Sequence, residues 1–133
     1  MTYNYGMITY ICALIVLAAL LAAHVCGLDG YYFIYPWYDI MMHILGGVGV
    51  GLFLAAIFKS YKSGVLFERR TIIIGVIFVG LVWEVFEMYY HLTAYPLWTK
   101  LYYLDTVKDL IDDTIGGAFI AYIVTRKSNN IKN

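Results

Sequence analysis

Residues 7–26 read MITYICALIVLAALLAAHVC, twenty positions without one Asp, Glu, Lys or Arg. A transmembrane helix needs roughly 20 mostly apolar residues. Comparable stretches follow at about 38–58 and 71–91, and a fourth at about 106–125 is purely apolar only in its second half. In 133 residues, 62% hydrophobic and 14% charged, a soluble core has no room for all of this; soluble domains run nearer 45–50% apolar and about 25% charged. Disorder needs the opposite composition. Nine Lys+Arg balance nine Asp+Glu, so no basic stripe offers itself to nucleic acid. The expected fold is an all-α integral membrane protein, one domain over 1–133, built as a four-transmembrane-helix bundle.

Basic residues set the expected orientation. Lys59, Lys62, Arg69 and Arg70 lie between spans two and three, and Arg126, Lys127 and Lys132 follow span four. The positive-inside rule places both groups in the cytoplasm, so both termini are cytoplasmic. The leader MTYNYG has no positive charge and no A-x-A site follows the first span, which therefore reads as a retained anchor. Cys12 and Cys26 would stand about 21 Å apart on one helix, too far to pair, and read as thiols facing lipid. The segment at 92–104, LTAYPLWTKLYYL, is too short to span and too apolar for a solvated loop. It is expected to lie flat at the outer interface or to dip between helices as a lid. Tyrosines and tryptophans at that level, including Tyr38, Trp98 and Tyr102, read as an interfacial belt.

The acids gather at the outer level, and helical spacing lets them meet. At about 100° per residue, Glu84, Glu87 and His91 share one face with Gly80. Asp105, Asp109 and Asp112 share another, continued by Gly116, with Asp113 at its edge. Asp39 and His43 share a third with Gly46. Three helices thus present polar stripes at one depth. Plainer roles exist: Asp105 or Asp109 as an N-terminal cap or dipole partner, Asp39 as a solvated helix start, His43 or His24 as a hydrogen-bonded histidine. Ionisable residues inside membrane spans are nevertheless functional suspects, and carboxylates in such number need shared protons or a cation. The expected metal ligands are Asp39, His43, Glu84, Glu87, Asp109, Asp112 and Asp113. Oxygen donors with imidazole suit Mg²⁺, Mn²⁺, Ca²⁺, Fe²⁺ or Zn²⁺. Glu87 or Asp105 would serve as general base. Gly47-x3-Gly51, with Gly75, Gly80, Gly116 and Gly117, reads as close helix packing.

The ordered pattern D-x3-H-x2-GG, WE-x2-E and DT-x2-D-x3-D-x2-G resembles the small bacterial membrane proteins of the VanZ-like and YjdF-like kind. It is carried by Asp39, His43, Gly46 and Gly47; by Trp83, Glu84 and Glu87; and by Asp105, Thr106, Asp109, Asp113 and Gly116. VanZ-like chains usually have Lys after the first Asp, Gln at the Glu87 position and Asn at the Asp113 position. Ile40, Glu87 and Asp113 depart from that, so the YjdF-like side is closer. The resemblance implies a polar intramembrane site in a multi-pass protein of the bacterial inner membrane.

Two main readings follow, and whether the protein is an enzyme stays open between them. One is a hydrolase or transferase that holds a divalent metal at the outer leaflet and acts on a lipid-linked phosphate. The other is a cation or proton transporter or channel subunit using the same carboxylates. A non-catalytic assembly protein is the third. Expected partners are membrane lipids, with homo-oligomers open and nucleic acid excluded. All versions expect His43, Glu84, Glu87, Asp109 and either Asp112 or Asp113 in one pocket.

Overall fold

The computed structural model describes residues 2–60 and 65–129; Met1, Lys62 and Lys132 lie outside them. Helix α1 is Thr2–Cys26, followed by a wide π-helical turn at Gly27–Tyr31 and the short α2, Tyr32–Ile34. Three long helices complete the chain: α3 at Pro36–Ser60, α4 at Val65–Tyr90 and α5 at Lys100–Asn129. Among the described residues there is no strand. Three stretches, Met7–Ile34, Pro36–Phe58 and Glu68–Tyr90, are long and apolar enough to cross a membrane. The charges in the first half of α5 keep it out of that set on composition.

Local chemistry explains where the helices break. Gly30 adopts φ 121°, a conformation open mainly to glycine, and kinks the chain after α1. Tyr35 is extended because the following proline disfavours helical geometry there. Pro36 then serves as the first residue of α3, where its missing N–H costs nothing. Helix α3 therefore begins two residues before position 38, where hydropathy starts the second span.

The end of α4 departs further from expectation. His91 has φ 57°, outside the helix. The Leu92 N–H donates to the Glu87 carbonyl at 3.0 Å and the His91 N–H to that of Met88 at 3.4 Å. This is a Schellman ending with histidine where glycine is usual. His91 is therefore outside the helical register that Glu84 and Glu87 share. A left-handed residue with a Cβ costs about 1–2 kcal/mol, so His91→Gly is expected to stabilise the protein by about 1 kcal/mol. Unfolding midpoints in mixed detergent check it; a lower midpoint would mean that the imidazole makes a compensating contact.

The expected 92–104 segment is also revised. Residues 91–99 form turns, and α5 starts at Lys100. The Thr99 hydroxyl accepts from the Tyr102 N–H at 3.3 Å, which makes Thr99 the N-cap. Asp105 lies more than a turn inside α5 and caps nothing. That segment is thus a short turn region followed by the first helical turn of α5.

Helix α3 is central: α1, α4 and α5 all pack on it, and α5 also packs on α4. In lipid, association rests on close packing and polar contacts, because lipid tails are as apolar as leucine. Glycine supplies the closeness. A Cβ on Gly47 would run into the Asp113 carbonyl, and one on Gly116 into the Ile44 carbonyl, so α3 and α5 meet backbone to backbone. Further along α3, α4 and α5, the residues Ala55, Ile72, Val76, Ile120, Ala121 and Val124 form the apolar core. Beyond it Arg69 donates to the Thr125 hydroxyl through Nε at 3.1 Å and Nη2 at 2.8 Å, fastening α4 to α5. Tyr38 and Tyr102 are buried, not belt residues; the Tyr38 hydroxyl donates to the Ala23 carbonyl at 2.7 Å and ties α3 to α1. Cys12 and Cys26 are free and exposed on the outside of the bundle.

Candidate functional site

The polar residues collect where α3 begins, α4 ends and α5 begins. Asp39 and His43 are four residues apart on α3 and share its face. Asp109 and Asp113 do the same on α5. The glycine contacts between these helices press the two faces together, and His43 ends up ringed by carboxylates. Its Nε2 lies 3.7 Å from Asp39 Oδ1 and 3.8 Å from Asp109 Oδ1, and its Nδ1 lies 3.5 Å from Asp113 Oδ2. His43, Asp109 and Asp113 are all buried. The Asp113 carboxylate is seated between two glycines: a Cβ on Gly46 would stand 3.4 Å from its Oδ1, and one on Gly80 2.6 Å from its Oδ2. Side chains at either position would displace it.

Lys108 brings a second positive group. Its Nζ donates to Asp39 Oδ2 at 2.8 Å and makes a short hydrogen bond to Asp109 Oδ1. Asp112 Oδ2 is 3.7 Å away and has no hydrogen-bond partner among the described residues. One ammonium thus bridges α3 and α5 over the same carboxylates that face His43.

Glu84 lies one level along. Its Oε2 accepts from the Thr106 hydroxyl at 2.8 Å, three residues before Asp109 on α5. Only 6% of Glu84 is exposed, yet its Oε1 has no partner among the described residues. A buried carboxylate oxygen left unpaired is costly. Glu87 instead accepts from its neighbour Trp83, Nε1 to Oε1 at 2.9 Å, and is half-buried. Asp105 is half-buried and makes no hydrogen bond among the described residues. His24 pairs with the Tyr32 hydroxyl at 2.9 Å.

The structure therefore gathers Asp39, His43, Asp109 and Asp113, attaches Asp112 through Lys108, and sets Glu84 one turn away. It leaves Glu87 and Asp105 outside that group. Lys108 and Thr106 are the members that sequence reasoning left out of the ligand set. Their signal was present, because Lys108 stands four residues before Asp112, and Thr106, Asp109 and Asp113 follow a three-and-four spacing.

Three of these groups could hold a cation between them. One ligand atom each from Asp39, His43 and Asp109 lie within 4.8 Å of one another. Ligands about 2.1 Å from an ion stand roughly 3–3.5 Å apart, so small side-chain rotations would close the distance. Lys108 already places a positive charge on two of the three. The family described as Predicted membrane protein (DUF2238) matches residues 2–130. No curated protein and no solved structure matches the chain.

Proposed function

We propose, for a chain that belongs to the DUF2238 family of predicted membrane proteins, that Asp39, His43 and Asp109 hold a divalent cation, with Asp113 and Glu84 completing its surroundings. The observation that carries this reading is the convergence of those three ligand atoms within 4.8 Å. The unpaired Glu84 oxygen gives it independent support. Imidazole among carboxylates favours Mn²⁺, Fe²⁺ or Zn²⁺ over Ca²⁺ and Mg²⁺.

The substrate class we infer is a lipid-linked phosphate, and the reaction its hydrolysis or transfer. The site lies at one end of the bundle, where headgroups sit if α5 is the fourth span and both termini are cytoplasmic. A divalent ion there would polarise phosphate oxygens that bare carboxylates repel. Lys108, 39% exposed, offers those oxygens an ammonium. A transport reading fits less well, because the apolar core of Ile72, Val76, Ile120 and Ala121 closes the bundle beyond the site.

Metal analysis tests the cation. Full-length protein stripped with chelator and equilibrated with Mn²⁺ or Zn²⁺ is expected to retain about one ion per chain. Asp109→Asn should weaken binding about tenfold or more. Wild-type protein that takes no ion, or a folded Asp109→Asn variant that binds equally well, would overturn the reading.

A further inference from the structure

A cavity of about 290 Å³ lies between α1 and α4, over α3. Helix α1 packs along α3. It reaches α4 through His24, whose ring stands edge-on to Trp83 at 5.3 Å. Away from that contact the walls are hydrocarbon: Leu17, Leu20 and Leu21 on one side, Val76 and Val79 on the other. The inner wall differs. Gly46 and Gly80 carry no side chains there, and His43 and Asp113 line the cavity between them. An apolar slot thus runs beside the acid cluster.

Size and chemistry select its occupant. One turn of helix, 10–12 Å across and 5.4 Å high, fills roughly 400–600 Å³, so a helix of a second copy or of another protein does not enter. Ordered water needs two to four polar partners, and most of this lining offers none. At roughly 30 Å³ per water-sized group, the slot holds on the order of ten chain atoms. Only 11% of the apolar window of α1 is buried within the bundle, so the helix that forms one wall turns a largely uncovered hydrocarbon surface outward.

We propose that this slot binds one hydrocarbon chain of a membrane lipid. The chain lies along α1 and α4, with its polar end at the level of His24, Tyr32 and Trp83 and its methylenes reaching toward Leu17 and Val76. The proposal concerns tail binding alone and stands whether or not the acid cluster holds a metal. Where the cluster does act on a lipid-linked phosphate, the slot holds the tail of that substrate beside His43 and Asp113.

Tryptophan quenching tests it. In full-length protein carrying Trp37→Phe and Trp98→Phe, Trp83 is the remaining tryptophan. Phosphatidylcholine with dibrominated chains is titrated into the detergent-solubilised protein. Saturable quenching near one lipid per chain is expected. Leu20→Phe with Val79→Phe, which fills the slot, should weaken it about fivefold or more, while Ile74→Phe on the exposed face of α4 should leave it unchanged. Quenching that rises without saturation, or that a folded slot-filled variant leaves intact, would show ordinary contact with surrounding lipid and overturn the proposal. If the slot-filled variant fails to fold, native mass spectrometry of the unmodified protein decides: one retained lipid supports the slot, and none overturns it.

Discussion

Gly116→Val is expected to cost about 3 kcal/mol or more of stability, because the new side chain must enter space held by backbone. A Cβ at Gly116 would already collide with the Ile44 carbonyl and stand 2.9 Å from the Val48 nitrogen. Neither atom can move without shifting the whole of α3. Gly47→Val should behave alike, since its Cβ meets the Asp113 carbonyl. Gly75→Ala is the control: its Cβ would meet the end of the Leu54 side chain, which can swing away. That change should cost less than about 1 kcal/mol. Unfolding midpoints followed by helicity in mixed detergent give the comparison. Equal midpoints for Gly116→Val and Gly75→Ala would mean that α3 and α5 do not meet at this point. The consequence reaches the site as well. Any separation of α3 from α5 carries His43 away from Asp109 and Asp113, so a surviving Gly116 variant should also bind divalent ions more weakly.

Lys108→Met is expected to act in the opposite direction on cation affinity. The lysine ammonium already bridges Asp39 and Asp109, the carboxylates proposed to hold the ion. A divalent ion must displace it or share those oxygens with it. Two unit charges about 4 Å apart near a protein surface interact by up to about 4 kcal/mol; solvent and salt reduce that for a residue 39% exposed. Even a third of it corresponds to roughly tenfold in affinity. Lys108→Met should therefore bind Mn²⁺ or Zn²⁺ about tenfold more tightly. It should also be less stable than the unmodified protein in chelator, since its carboxylates lose their counter-charge. Ion at about a hundred times its dissociation constant should restore about 2.7 kcal/mol. Calorimetric titration and thermal scans with and without the ion measure both effects. Unchanged or weaker binding in a folded Lys108→Met protein would mean that the ammonium does not compete with a cation at Asp39 and Asp109.

How much of this was legible from sequence depended on the range of the interaction. The apolar stretches and the polar stripes are local: chain length, a turn of 3.6 residues and the cost of charge in lipid fix them. The stripes pairing Asp39 with His43 and Asp109 with Asp112, with Asp113 at the edge, could be drawn without knowing what they face. Helix ends were read less well, because they turn on single residues. His91 adopts a left-handed conformation usually left to glycine, so hydropathy carried α4 one residue too far. Thr99, not Asp105, caps α5 because its hydroxyl meets the Tyr102 N–H.

The sequence by itself determined that this is a helical membrane protein with acids, histidine and glycines at recurring positions on its helix faces. The tertiary structure alone decided which of those groups meet. Glu87 and Glu84 look equivalent on a helical wheel, yet Trp83 claims one and Thr106 reaches the other. Asp112 and Asp113 differ by a single residue, yet one stands 3.7 Å from the Lys108 ammonium and the other faces His43 between two glycines. Helical periodicity gives direction to within a face. Contact depends on the distance between axes and on side-chain rotamers, and here backbone contacts at Gly47 and Gly116 set that distance.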